Sequence, residues 1–140
     1  MRFTSHAPIP FEQSRLRVGY AMCEEMHSLS NCVRRQVSAL LLDEAGIVKS
    51  MGFNWLATDE ADCSTICPRA KRSLEEVPSL SPYNAPGQEC FSTHAEVDCL
   101  SRVEGRSVRG WWMLVTNKPC PECQHLLDSV GVNAIWKEEA

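Results

Sequence analysis

Apolar positions recur along the chain with two different periods. Between residues 11 and 30, Leu16, Tyr20, Met22, Met26 and Leu29 fall roughly on one side of a helix, so this stretch is predicted to be an amphipathic helix. Val37 to Leu42 is a continuous apolar run that stops at Asp43-Glu44-Ala45-Gly46, a turn-forming cluster. Ile47 to Phe53 then alternates as a strand, and residues 36–54 together predict a β-hairpin. Residues 58–90 show little periodicity and are rich in Pro, Ser, Asn, Cys and charge. A stretch that long within a compact domain is usually functional or tied down.

Helical spacing resumes from His94 to Val103 through Val97, Leu100 and Val103. Gly110 to Thr116 reads as a short buried strand that holds Trp111 and Trp112 as core residues. Pro121 to Val130 is a helix opened by proline at its first turn and ended by Gly131, and Val132 to Trp136 is a last strand. Helix, hairpin, loop, helix, strand, helix, strand is the order of a layered α/β domain, with helices against a mixed sheet.

Composition narrows the class. The chain has 140 residues, 44% of them hydrophobic and 23% charged, as expected for one globular domain over 1–140 with a Cys-bearing insertion at about 58–90. Its formal net charge of −4 argues against a surface that wraps nucleic acid. No apolar run reaches the length of a membrane span, and MRFTSHAPIPFEQ lacks the apolar core of a signal peptide, so a cytoplasmic protein is expected. For such a protein, eight cysteines point to metal binding rather than to four disulfides.

The chemistry is concentrated in His94-Ala95-Glu96 and Pro119-Cys120-Pro121-Glu122-Cys123. Two cysteines two residues apart can hold one zinc ion from a single turn, and His94 closes a third corner, leaving the fourth position for water. Glu96 is a carboxylate beside the site that is not itself a ligand. Zinc lowers the pKa of a bound water to near ~7, and Glu96 is placed to move the protons of a hydrolysis. The Ala95 backbone amide could hold a substrate carbonyl. C-x-x-C alone is also found in structural zinc knuckles and buried thiol pairs. Joined to H-x-E, it is the signature of zinc-dependent nucleobase deaminases.

On these residues the chain resembles the deoxycytidylate deaminase branch of the cytidine deaminase superfamily. The segments VSALLLDEAGIVKSMGFN, CPR, CFSTHAEVDCL and TNKPCPECQHLLDSVGVNAIW carry the resemblance. It implies a three-layer fold in which a mixed five-stranded sheet has helices on both faces. It also implies a homo-oligomer and zinc-dependent conversion of dCMP to dUMP with release of ammonia. Asn54, in Gly52-Phe53-Asn54, matches an asparagine that contacts base and sugar in that family. Two departures stand out: Trp55 follows Asn54 where many members have glycine, and Asp98-Cys99-Leu100 replaces the usual Asn-Ala-Ile.

Cys63, Cys67 and Cys90 resemble a cysteine set that binds a second, structural zinc in some relatives. A metal clip would also order a loop that cannot bury a core of its own. Cys23 and His27, four apart on one helix face, could add a fourth ligand, or could simply be a buried thiol and a surface histidine. Cys32 and Cys99 read as small buried residues. For a 5′-phosphate the first choice is Arg69, because a guanidinium fork matches phosphate, with Arg34, Arg35 and Lys71 as alternatives. The expected partner is a small-molecule nucleotide, with no membrane. Cytosine in single-stranded nucleic acid, or nucleotide binding without turnover, are the competing readings.

Overall fold

The computed structural model describes residues 1–29, 36–54, 94–103 and 107–139, with only the backbone of Ser28. Its elements are β1 (Phe3–Ser5), α1 (Gln13–Met26), a 3-10 turn (His27–Leu29), β2 (Ser38–Leu42), β3 (Val48–Phe53), α2 (Ala95–Ser101), β4 (Trp112–Val115), α3 (Pro121–Val130) and β5 (Asn133–Lys137). The five strands form one sheet in the order β1-β5-β4-β2-β3. β4 and β5 run parallel, joined through α3, and the other three pairings are antiparallel. The sheet is mixed, as expected.

β2 has no solvated face, and this explains its unbroken Ala-Leu-Leu-Leu. Leu40 and Leu42 join Phe3, Leu114 and Ile135 beneath α1, which contributes Leu16 and Cys23. Ala39 and Leu41 join Met113, Val115, Ala134 and Trp136 on the opposite face, against Ala95 and Cys99 of α2 and Leu127 of α3. Helices therefore cover both faces in a three-layer domain. Trp111 and Trp112 are both buried, one in each layer. Among the described residues no helix is long and apolar enough to cross a membrane.

The structure differs from the sequence reading in three places. β1 was not anticipated, because three residues are too few to show a period. It is held by pairing with β5 and by the Gln13 side chain, which accepts the Phe3 N–H at 2.8 Å and donates to its carbonyl at 3.3 Å. α1 occupies only Gln13–Met26 of the expected 11–30, and Met22 and Leu29 are 41% and 59% exposed. Cys23 takes the buried seam instead, seven residues after Leu16. In α2 the expected apolar stripe is reversed at its start: Val97 is 40% exposed, while Glu96 and Asp98 are buried.

α2 lies directly on the end of β3. A Cβ on Gly52 would meet the Cys99 backbone nitrogen at 2.5 Å and the Ala95 carbonyl oxygen at 2.6 Å, so only glycine permits this approach. Ser50, two residues earlier on the same face, donates its hydroxyl to the Cys99 carbonyl at 2.7 Å. At the other end of the hairpin, Asp43 accepts the Ala45 and Ile47 amides at 2.9 and 3.0 Å, and Lys49 lies 3.7 Å away. The Ile47 amide, followed by the Ala45 amide and the Lys49 charge, holds the Asp43 carboxyl below its usual pKa.

Gly52→Ala should therefore destabilise the protein by about 1–3 kcal/mol, because the obstructing atoms are backbone and cannot rotate away. A denaturant midpoint unchanged from wild type would contradict the close packing. The depressed Asp43 pKa adds stability above the unfolded value of about 3.9 that is lost as pH falls through the folded value. Asp43→Asn should flatten this part of the acid limb of the stability profile, which a pH series of thermal melts would detect.

Candidate metal centre and active site

Two helices begin at one point of the fold. His94 is the N-cap of α2 and Cys120 is the N-cap of α3, and neither helix has a side-chain cap. In α2 the first helical bond runs from the Asp98 N–H to the His94 carbonyl at 2.9 Å, which leaves the Ala95 amide outside the helical ladder. The N-terminal ends of both helices carry partial positive charge and favour anionic groups there. Pro121, the first helical residue of α3, has no N–H to satisfy.

The sheet sets the distance between these two starts. The Thr116 amide donates to the Ser38 carbonyl at 3.1 Å, and the Ser38 amide returns a bond to Thr116 Oγ1 at 3.1 Å, which locks β2 to the end of β4. Asn117, Lys118 and Pro119 then lead into Cys120. On the neighbouring strand end, Asn54 is buried and its Oδ1 accepts the Val37 N–H at 2.9 Å. The Val37 N–H can only donate, so the atom facing it is the carbonyl end of the Asn54 amide, while the Val37 carbonyl accepts the Asn54 backbone N–H at 3.1 Å.

His94 Nδ1 stands 3.1 Å from Cys123 Sγ and 3.7 Å from Cys120 Sγ, and all three candidate ligand atoms lie within 4.8 Å of one another. A tetrahedral zinc at about 2.3 Å from sulfur and 2.0–2.1 Å from nitrogen needs ligand-to-ligand edges of about 3.5–3.8 Å. The 3.7 Å separation falls within that range and the 3.1 Å one just below it, and one imidazole with two thiols is a zinc-type donor set. These residues fit the ion.

Glu96, in the first turn of α2, is 4% exposed. Burial raises its carboxyl pKa, and the negative charge of Cys120 adds to this, against partial offsets from His94 and Cys123. The two thiols divide their roles. The hydrogen bond from Cys123, together with His94, holds Cys120 at about 5, while Cys123 is pushed up by bonding to Cys120 and by burial. Burial alone would lower His94, but the bond and charge of Cys120, with Glu96 and Glu122, bring it above its ordinary value.

The structure thus brings together His94, Ala95, Glu96, Cys120 and Cys123, and buries Asn54 at the adjoining strand end. Arg69, Cys63, Cys67 and Cys90 lie outside the described residues, as do Cys32, Arg34, Arg35 and Lys71. Cys23 and Cys99 are buried thiols pushed up to about 12 by burial. His27 is not the surface histidine expected: its Nε2 is buried and has no hydrogen-bond partner among the described residues. The sequence reading missed the roles of Ser38, Thr116 and Asp98. Asp98 left the only signal, an acid four residues before Arg102 on one helix.

No protein-family model matches the chain. Over 100 residues, 71% of its length, the chain is 25% identical to the "Probable deoxycytidylate deaminase" of Drosophila melanogaster, and spans about half (47%) of that protein. Among solved structures, the dCMP deaminase of cyanophage S-TIM5 in complex with dCMP and dUMP superposes with a TM-score of 0.62. That match has 22% identity and covers 87% of this chain and 79% of the phage chain. The apo form of the phage enzyme gives 0.61 at 21% identity, over 87% and 80% of the two chains. The chain has the dCMP deaminase fold. Within it, the described cluster of His, Cys and acidic side chains able to hold a metal is His94, Cys120 and Cys123.

In zinc-free protein at neutral pH, Cys120 should be alkylated by iodoacetamide ahead of Cys23 and Cys99, whose raised pKa and burial keep them as thiols. Added zinc should suppress labelling of Cys120 and Cys123 and release protons to the solvent. Peptide mapping by mass spectrometry reads this directly, and equal Cys120 labelling with and without zinc would exclude it as a ligand.

Proposed function

We propose that this protein is a zinc-dependent hydrolase that deaminates a cytosine nucleotide, converting dCMP to dUMP with release of ammonia. The observation that carries this reading is the convergence of one imidazole and two thiols at two helix N-termini, with a buried carboxyl two residues from the imidazole. His94, Cys120 and Cys123 would hold the ion. Bound there, zinc supplies Lewis acidity that makes water nucleophilic near neutral pH.

Glu96 takes a proton from the attacking water and hands it to the ring nitrogen adjacent to the amine-bearing carbon. It takes the second proton of that water and delivers it to the amine, which leaves as ammonia while the carbon keeps the oxygen. A carboxyl with its pKa raised by burial suits this shuttle, because it must both accept and give protons. The Ala95 amide holds the base carbonyl, and Asn54 contacts base and sugar. Arg69 binds the 5′-phosphate, and Cys63, Cys67 and Cys90 hold a second, structural zinc. The naming of the Drosophila relative and the dCMP and dUMP bound by the phage enzyme support the substrate choice. The reading includes a single domain over 1–140, a homo-oligomer and a cytoplasmic setting. The net charge of −4 disfavours polynucleotide substrates.

Ammonia release should be measured for cytosine, cytidine, deoxycytidine, CMP, dCMP, guanine and a single-stranded cytosine oligonucleotide. dCMP is expected to be turned over best, and activity confined to another base would reassign the substrate. Glu96→Gln should keep its zinc while losing about 10²–10⁴-fold in kcat, the usual worth of a general acid–base group. Full activity in that variant would remove Glu96 from the chemistry.

A further inference from the structure

Asp98 is a second carboxylate on the helix that carries Glu96, and it has no part in the chemistry proposed above. It is 4% exposed, and it is not one of the three residues whose ligand atoms converge in the metal cluster. Its Oδ2 accepts the backbone N–H of Phe53 at 3.2 Å and the Nε of Arg102 at 3.2 Å. The Arg102 guanidinium also lies over the Phe53 ring, 5.8 Å from its centroid. A buried carboxylate is strongly destabilising unless paired. Here one oxygen is shared between the end of β3 and the last turn of α2.

Phe53 immediately precedes Asn54. Around them α2 and β3 are joined at successive positions: Ser50 to the Cys99 carbonyl, Gly52 against the α2 backbone, and the Phe53 N–H to Asp98. The first two set how close the helix lies. Among the described contacts from α2, Asp98 is the one that grips the strand at the residue leading into Asn54, from a point half a turn beyond Glu96. Val37, just before β2, holds the Asn54 amide and side chain from the other side of the strand. We propose that Asp98, with Arg102 as its charge partner, is a positioning residue that fixes Asn54 relative to Glu96 and so sets the affinity for the nucleotide rather than the rate of its chemistry. The proposal rests on the deamination reading for its substrate but not for its geometry.

Hydrogen exchange tests the geometry without turnover. In Asp98→Ala, the Phe53 and Asn54 amides should exchange about tenfold faster while those of Leu40 and Leu114 are unchanged. Asp98→Asn, which keeps an acceptor of the same shape, should restore wild-type exchange. With dCMP, Asp98→Ala should raise KM about tenfold with kcat changed less than about threefold, and Asp98→Asn should return KM toward wild type. A merely structural role would lower thermal stability and leave KM of the folded fraction unchanged, and that result would overturn the proposal. So would unaltered exchange at Phe53, or an Asp98→Asn variant as impaired as Asp98→Ala. If Asp98→Ala does not fold, Arg102→Met should speed exchange at Phe53 in the same direction, and no change there would equally overturn it. If wild-type protein turns over no base, the deamination reading fails, and the exchange experiment still decides the role of Asp98.

Discussion

Buried negative charge at two helix N-termini is the constraint on which the rest of this structure turns. Cys120, Cys123 and Glu96 crowd around His94 in a space with little water to solvate them. Left to themselves, the thiols share a proton, so one is held down and the other pushed up. The helix ends offset part of the charge, and a divalent cation held by these residues would offset the rest. Two described contacts hold that crowding. β4 and β2 are locked through Ser38 and Thr116 just before the cysteine pair, and β3 presses against the helix that brings His94 and Glu96.

α2 departs from the burial pattern of an ordinary amphipathic element. A seven-residue helix on a sheet would normally bury its valine and expose its acids. Here Val97 faces solvent, and Glu96 and Asp98 face inward. The two acids are separated by environment. Glu96 lies in the site with Cys120 and His94, and burial raises its pKa. Asp98 has an amide and a guanidinium for partners. Two carboxylates on one short helix thus sit in different settings, one beside the His and Cys cluster and one bonded to the backbone of β3.

Much of the fold was legible in the sequence because several elements announce themselves by period or punctuation. The apolar run of β2, the Asp43 turn, the proline-opened α3 and its Gly131 end all fell within a residue or two of their predicted places. β1 was not legible, since a three-residue edge strand is defined by its partner β5 and not by its own pattern. The seam of α1 was misread because methionine and leucine outrank cysteine as apolar residues. The sheet instead selected Cys23 by its place on the helix.

The sequence by itself determined the donor set. Histidine, two cysteines at C-x-x-C spacing and an acid two residues after the histidine specify their chemistry through residue type and local spacing, which need no fold to be recognised. Only the tertiary structure decided that residues 94 and 120 meet, how deeply Glu96 is buried, and that Asp98 is tied to β3. Those properties depend on two helix starts being brought together by strands distant in sequence, and on a glycine at position 52 that lets backbone touch backbone. Spacing along a chain records which groups are available, whereas pKa and position are set by neighbours that the chain brings in from elsewhere.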